Sequence, residues 1–171
     1  DRIKFFPDEH VVSGPNPPVW SHLPFLSAEL VSSGHRSTGN FLFDTGAQVS
    51  IMSYRMAFEL GLDTNGDGVL SQTDANFARL ETISVIGGSV DVPVFLVDEV
   101  HVPTDQGADL VWTDLQWLVL DIVDGIDAIF GFDNSTSGWL EAFATDGQSG
   151  FIMQEYLDFR NWSTTGQGKI Y

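Results

Sequence analysis

The stretch Phe-Leu-Phe-Asp-Thr-Gly-Ala-Gln-Val-Ser-Ile-Met-Ser at residues 41–53 decides how this chain is interpreted. An apolar strand runs into a single carboxylate, Asp44, and a second apolar segment follows after Gly46. A carboxylate in an apolar run is unusual, because removing its water is costly unless hydrogen bonds or a shared proton compensate. A simple turn explains the same residues, since Asp and Gly are both common turn formers. The motif alone leaves both interpretations open.

Two landmarks give the chain a family resemblance. Asp44-Thr45-Gly46-Ala47, flanked by apolar residues, resembles the catalytic signature of the retropepsin-like aspartic proteases. Ala after the glycine is typical of the retroviral and the cellular DNA-damage-inducible-type members, whereas two-lobed pepsin-like enzymes usually carry Ser. The second landmark is two apolar residues, a glycine, any residue and Asp or Asn, and it occurs at residues 129–133 after Asp127. Two landmarks in the family's order favour the catalytic interpretation over the turn.

The resemblance implies a mainly β fold, namely a retropepsin-like acid-protease barrel with one lobe per chain and a short helix. Hydrolysis in this family uses two carboxylates that share one proton. The chain contains one Asp-Thr-Gly motif and no second one. We therefore expect a twofold homodimer in which Asp44 and its symmetry mate form the catalytic dyad.

The same resemblance implies roles for the neighbouring residues. Thr45 would hold the two catalytic loops together, and Gly46 would let the backbone approach the carboxylate. A flap, which is a hairpin that closes over substrate, is expected at Gly87-Gly88 between two alternating strands. An ordinary hairpin explains those strands as well. The substrate-binding residues expected from the resemblance are Ala47, Gln48, Ile86, Gly87, Gly88, Ser89 and Ile129.

Residues 63–74 carry a separate motif. Oxygen-bearing side chains occupy loop positions 1, 3, 5, 9 and 12 with Gly at position 6, as in an EF-hand calcium loop, and the carbonyl at position 7 supplies a further ligand. The expected Ca2+ ligands are Asp63, Asn65, Asp67, Val69, Ser71 and Asp74. Together with residues 75–80 the loop resembles one calcium repeat of a bacterial dockerin, so we predict a helical insertion at 62–80 with a structural ion. A polar surface loop without metal is the alternative.

The remaining pattern predicts a single retropepsin-like domain over residues 1–171. Its predicted parts are an extended N-terminal arm at 1–22 with a short strand at 3–6, strands at 25–31 and 40–43 joined by a polar connection at 32–39, a strand at 49–52, a short helix over 53–61 that Ser53 caps, and C-terminal strands within 136–171. Asp133 is expected to cap a second short helix. The expected dimer interface is the C-terminal strands or the arm.

The charge restricts the classes of partner. The chain has 24 acidic and 7 basic side chains, for a formal charge of −17, which argues against nucleic acid and anionic membrane surfaces as partners. It has no cysteine, and no apolar run is long enough to insert into a bilayer. Because a weak calcium loop needs abundant calcium, we expect a secreted or extracellular chain whose leader has been removed, with the periplasm as the alternative.

Two functions follow from these observations. The first is a hydrolase, an aspartic endopeptidase that acts on peptide or protein substrates as a calcium-stabilised homodimer. The second is a binding or structural module that keeps the retropepsin fold and the calcium loop but has lost cleavage. The intact Asp-Thr-Gly-Ala motif favours the enzyme, because a module that had lost cleavage would have no need of Asp44.

Overall fold

The computed structural model describes residues 3–4, 6–7, 24–44, 47, 49–85, 88–104, 107–121, 126–131, 157–158 and 169–170. Its elements, in chain order, are β1 (Ile3–Lys4), β2 (Phe6–Pro7), β3 (Pro24–Ser32), β4 (His35–Asp44), β5 (Ile51–Met52), α1 (Tyr54–Glu59), β6 (Phe77–Val85), β7 (Gly88–Pro103), β8 (Asp109–Val119), β9 (Ala128–Gly131), β10 (Leu157–Asp158) and β11 (Lys169–Ile170). The described part of the chain is thus mainly β, with one short helix, as the sequence predicted.

Six strands close into a barrel. Their order around the sheet is β3-β4-β9-β5-β8-β7, and β3 pairs again with β7 to complete the circle. β2 adds to β3, and β6 adds to β7 as the outer strand of a long hairpin. Closure leaves the barrel strands few unpaired edges, and it confirms the predicted acid-protease barrel.

The first hairpin is tighter than the sequence indicated. β3 and β4 are joined by Ser33 and Gly34 alone, whose φ angles of +49° and +83° suit a two-residue hairpin turn. The predicted polar connection at 32–39 is therefore wrong over most of its length. Residues 35, 36 and 38 belong to β4 but lie largely outside the core, where polar side chains are tolerated. Their polarity therefore led to the wrong prediction of a loop.

The barrel interior is aromatic. Phe41, Trp117 and Phe130 come from three different strands and contact each other edge to face or tilted, with ring centroids 5.6–6.1 Å apart. All three side chains are at most 1% exposed. Such ring pairs contribute about 0.5–1.5 kcal/mol each beyond the area they bury. This cluster fixes β4 and β9, the two strands that carry the site.

The short helix follows its predicted signals. Ser53 is the N-cap of α1, and its hydroxyl accepts a hydrogen bond from the Met56 amide at 3.4 Å. Met56 and Ala57 are fully buried against the barrel. Gly61, with φ +67°, follows the last turn in a conformation that favours glycine. The predicted helix over 53–61 is confirmed.

The predicted helical insertion at 62–80 is wrong in its secondary structure. Residues 62–76 form turns without an α-helix, and the residues from Phe77 onward form β6. Phe77 packs edge to face on Phe95, with ring centroids 5.8 Å apart, at the start of the β6–β7 ladder. A strand that pairs over this whole length satisfies more backbone groups than an isolated helical turn, which is unstable at such lengths.

The chain ends form a second, small sheet. β11 pairs with β1 on one side and with β10 on the other. The predicted strand at 3–6 falls where β1 and β2 lie, and β10 and β11 lie within the segment 136–171, where C-terminal strands were predicted. The rest of the arm at 1–22 and of the segment 136–171 lies outside the described residues, as does Asp133. In the part of the chain that is described, no helix has the length and apolarity needed to cross a membrane.

Candidate active site

Asp44 is the last residue of β4, at a point where three strands meet. β9 lies between β4 and β5: it runs parallel to β4, with Asp44 opposite Gly131, and antiparallel to β5, with Ile129 opposite Ile51. The chain that leaves β4 must therefore cross over the end of β9 to reach β5. Ala47, Val49 and Ser50 are the described residues between Asp44 and β5.

Gly131 is required by that crossing. A Cβ atom on Gly131 would lie 2.1 Å from the carbonyl oxygen of Val49 and 3.1 Å from that of Ala47. Both obstacles are backbone atoms, so a side chain could be accommodated only by moving the loop after Asp44. The glycine of the second landmark is thus explained by close packing beneath the residues that follow Asp44.

Two hydrogen bonds hold the loop in place. The Ala47 amide donates to the Asp44 carbonyl at 3.3 Å, and the Gly131 amide donates to the Ser50 hydroxyl at 3.2 Å. Ser50 is 9% exposed, whereas Asp44 is half-buried. The carboxylate is therefore placed by a rigid strand end and remains partly open to solvent.

Asp127 ties the base of the site together. Its carboxylate accepts a hydrogen bond from the Asn40 amide at 2.9 Å and pairs with the Arg55 guanidinium at 2.7 Å. Its carbonyl accepts from the amide of Ser53, the helix cap, at 2.9 Å. Gly39 makes room for it, since a Cβ there would lie 2.7 Å from that of Asp127. Asp127, the residue that precedes β9, thereby links β4, α1 and β9.

The charges behind the site perturb two pKa values. Partial burial acts to lower the pKa of Arg55, but hydrogen bonds to Glu59 and Asp127 outweigh it, so the pKa is raised. The Ser37 hydroxyl at 2.6 Å, and then Arg55, lower the pKa of Glu59. Arg55 and Glu59 therefore both stay ionised around neutral pH.

The predicted flap corresponds to a real hairpin. β6 and β7 pair antiparallel from Phe77 up to Val85 opposite Gly88, which leaves a two-residue tip. Gly88 has φ +151°, and both Gly88 and Ser89 are exposed. The tip residues Ile86 and Gly87 lie outside the described residues.

The structure brings some of the predicted site residues together. Asp44 and Ala47 lie in one loop over Gly131, and Ile129 packs with Leu42 beside them. Thr45, Gly46 and Gln48 fall outside the described residues. The sequence interpretation missed Ser50 and Arg55. A serine within the apolar run 49–52 and a basic residue four positions before Glu59 were the available signals.

The loop at 63–74 has the turns of the motif but not a closed set of ligands. The Asp63 carboxylate accepts from the amides of Gly66, Asp67 and Gly68 at 2.9–3.2 Å. Gly66 and Gly68 have φ angles of +71° and +81°. Among the described residues, no group of three His, Asp or Glu side chains is arranged to hold a metal ion. The chemistry of the donors, which are carboxylates, an amide and a hydroxyl, suits calcium.

Asp74, at position 12, is the most constrained member of this loop. It is 6% exposed and accepts hydrogen bonds from the amides of Ser71 at 2.9 Å, Thr64 at 2.9 Å and Asn65 at 3.3 Å. The Ser71 amide is the main cause of its lowered pKa, while burial opposes the shift. Leu62, just before the loop, and Leu70, at its position 8, are buried in the barrel core, so the loop is anchored at two points.

Comparisons with known proteins agree with this architecture. The profile of a family described as aspartyl protease matches residues 29–134. A search of curated proteins found no match. The crystal structure of a retropepsin-like aspartic protease from Rickettsia conorii superposes with a TM-score of 0.55 at 13% identity, covering 99% of this chain and 89% of that one. The family match spans the Asp44 loop, the hairpin and β9, and on that basis the chain belongs to the aspartyl protease family.

Proposed function

We propose that the protein is a retropepsin-like aspartic endopeptidase whose active form is a homodimer. One copy supplies one Asp44, and a second copy supplies the other carboxylate across a twofold axis. One carboxylate of the pair accepts a proton from the attacking water, and the other, protonated, donates to the scissile carbonyl oxygen. Close approach splits the pKa values of two such carboxyls, which allows them to share one proton.

The observation that carries this proposal is the placement of Asp44. It ends a strand in the barrel wall, over a glycine that admits the catalytic loop, and it is half-buried rather than sequestered. The sequence offers one Asp-Thr-Gly motif, so a pair needs two chains. The small sheet of β1, β10 and β11 is the surface we propose for the dimer contact, because backbone edges of its strands can pair with a second copy.

We further propose that the β6–β7 hairpin is the flap. Its two-residue tip follows Val85 and ends at Gly88, and the strands beneath it are exposed near the tip. A paired ribbon of this length can move as a unit about its base. Closure would exclude water from the cleft and would let Ile86, Gly87, Gly88 and Ser89 contact the substrate backbone.

Peptide cleavage tests the proposal directly. Purified protein is incubated with casein and with a peptide library between about pH 3 and 8, with and without a pepstatin-type inhibitor. We expect internal cleavage that the inhibitor suppresses. Cleavage at no pH would instead support a binding or structural module built on the same fold.

We propose a structural calcium ion for residues 63–74. The ligands would be the side chains of Asp63, Asn65, Asp67, Ser71 and Asp74 and the carbonyl of Val69. The support is the twelve-residue spacing, the two left-handed glycines and the anchoring of the loop by Leu62 and Leu70. Calcium would offset two of the three negative charges that Asp63, Asp67 and Asp74 place close together in a chain of charge −17. Such a loop suits a secreted, extracellular or periplasmic protein, and we propose that location.

Calcium should raise the thermal stability. A ligand at about 100 times its Kd stabilises the folded state by about 2.7 kcal/mol, or about 5–10 °C in Tm for a chain of this size. Thermal melts in calcium and in EDTA measure the difference. Asp63→Asn should abolish most of it, whereas Asp114→Asn, an exposed carboxylate on β8, should not. A Tm that calcium leaves unchanged in the unmodified protein would contradict the site.

Acid should weaken the calcium-free loop. The pKa of Asp74 is lowered from its ordinary value of 3.8, so the ionised carboxyl contributes stability that is present above pH 3.8 and is lost as the pH falls through the folded-state pKa. NMR titration of the Ser71 and Thr64 amides, which donate to this carboxylate, follows the loss. A midpoint above the ordinary value would show that the hydrogen bonds do not stabilise the ionised form.

A further inference from the structure

The outer strand of the long hairpin, β6, has an unpaired edge. Among the described residues, β6 pairs with β7 and with no other strand. Side chains on both of its faces are open to solvent, since Leu80 is 62% exposed and the Arg79 side chain, on the opposite face, is 44% exposed. Leu80 is the most exposed large hydrophobic residue in the part of the chain that the structure describes. An open edge of this kind can pair with another chain.

The register with β7 determines which backbone groups of β6 point outward. Leu80 lies opposite Pro93, and proline has no amide hydrogen. The two residues therefore form a non-hydrogen-bonded pair of the antiparallel ladder, whereas the next pair, Glu81 opposite Val92, exchanges hydrogen bonds. The amide and the carbonyl of Leu80 consequently point away from β7, as do those of Thr82. The free edge of β6 thus presents the backbone groups of Leu80 to a partner strand.

The sequence around Leu80 is complementary to itself in an antiparallel pairing. A twofold axis at Leu80 places this residue opposite its own copy, and it places Arg79 of each chain opposite Glu81 of the other. The two copies of Leu80 then form a hydrogen-bonded pair, with Cα atoms about 5.5 Å apart, because their backbone groups point outward. Arg79 and Glu81 form the non-hydrogen-bonded pairs beside it, in which side chains approach most closely. Opposite charges in such cross-strand pairs are stabilising.

The existing contacts of Arg79 and Glu81 are compatible with this arrangement. Arg79 Nε donates to the Glu81 carboxylate at 2.7 Å, and Nη1 donates to the Gln116 side chain. Within the described ranges, the third nitrogen of Arg79, Nη2, has no such partner. The Glu81 side chain is 38% exposed, and a carboxylate can accept several hydrogen bonds. Two copies therefore bring together two arginines and two glutamates of alternating sign without breaking the contacts within each chain.

The edge suits a short pairing with a second copy better than a long added strand. Charged side chains and bulges on an edge strand usually oppose pairing, and β6 has a bulge between Phe77 and Arg79. The charges oppose pairing where like signs meet, but in this register opposite signs meet. Beyond the charged residues, Thr82 of each chain lies opposite Ala78 of the other, and both residues are small and exposed. The bulge ends the regular edge at that point, so the complementary stretch is confined to residues 78–82.

We propose that β6 pairs with β6 of a second copy, antiparallel and about a twofold axis at Leu80. This edge is a different surface from the Asp44 loop and from the small sheet of β1, β10 and β11. The inference therefore goes beyond the proposed function and does not depend on it. A chain that uses both surfaces joins two catalytic dimers. Because the paired stretch is short, the association is weak and requires a high protein concentration.

Cysteine cross-linking tests the position of the axis. The chain has no cysteine, so a single introduced cysteine can bridge only to the same residue of another copy. In Leu80→Cys the two Cα atoms lie about 5.5 Å apart, within the reach of a disulfide, whereas Thr82→Cys on the same face separates them by about 13 Å or more. Each variant is oxidised with diamide at about 0.2 mM protein, and covalent dimers are measured on non-reducing gels. Leu80→Cys should cross-link at least about tenfold faster than Thr82→Cys.

Charge reversal tests the register without cysteine. Sedimentation equilibrium of the unmodified chain should show an association step that Arg79→Glu weakens at least about tenfold. Arg36→Glu makes the same change of charge at an exposed arginine of β4, and it should weaken this step much less. The double variant with Arg79→Glu and Glu81→Arg restores both the opposite-charge pairs and the original net charge. It should therefore restore the association.

Equal cross-linking rates of the two cysteine variants would overturn the inference, because they would indicate random collisions. So would an equal loss of association in Arg79→Glu and Arg36→Glu, because that would indicate only repulsion between acidic chains. A double variant that melts like the unmodified protein but stays weakened would reject the register. None of these measurements requires cleavage. A protein that cross-links through Leu80→Cys but cleaves nothing would reject the protease and keep the interface, and an active protease without selective cross-linking would reject the interface alone.

Discussion

Asp44→Asn should lower peptide cleavage by about 10³-fold or more while leaving the fold intact. The amide keeps the shape of the carboxyl group but cannot accept a proton from water at the working pH. In a homodimer the change also removes both members of the dyad at once. The half-buried position of Asp44 at the end of β4 tolerates an isosteric amide, so Tm should change by no more than a few degrees.

The matched control for this variant is Asp114→Asn. Asp114 is exposed on β8, and its φ of +58° is one that Asn also adopts readily. Initial rates on one fluorogenic peptide, measured for both variants at the optimum pH, give the comparison. Activity of Asp44→Asn within a few fold of the control would show that Asp44 takes no part in the reaction.

Gly131→Ala should damage both stability and activity. Its new methyl group would lie 2.1 Å from the Val49 carbonyl oxygen, so the loop after Asp44 must move. We expect a loss of about 3 kcal/mol or more, or at least about 6 °C in Tm, since the obstacle is backbone. Displacement of the loop should also lower kcat by at least about 100-fold, because small misplacements of catalytic groups have such effects.

Gly107→Ala separates these effects from the general strain of replacing glycine. Gly107 has φ +85°, but a Cβ there would meet no atom within 4 Å. The variant should lose about 1 kcal/mol through the left-handed conformation alone and should keep full kcat. Thermal melts and rates of the two variants are measured side by side. Equal losses of stability and of kcat in the two variants would contradict the close packing of the loop after Asp44 over β9.

Local signals in the sequence predicted much of the architecture. Several local conformations are encoded by neighbouring residues. They are the strands around Asp44, the helix cap at Ser53, the helix end at Gly61 and the two alternating strands of the β6–β7 hairpin. These elements are confirmed where the structure describes them.

The features that organise the site are long-range, and a single sequence does not encode them locally. Nothing near Gly131 in the sequence indicates that β9 lies between β4 and β5, or that the backbone of Ala47 and Val49 packs against it. Asp127 pairs with an amide in β4 and a guanidinium in α1, far along the chain. The helical insertion predicted at 62–80 is wrong over residues 77–80 for the same reason, because pairing of β6 with β7 outweighs the weak local preference for helix.

A subunit-mixing experiment tests the shared dyad most directly. Wild-type and Asp44→Asn chains are mixed in equal amounts, unfolded together in denaturant and refolded, and activity is compared with the same total amount of refolded wild type. Random pairing leaves about one dimer in four with two aspartates, so the homodimer account predicts about a quarter of the activity. Activity of one half would show that each chain works alone, and it would contradict the account.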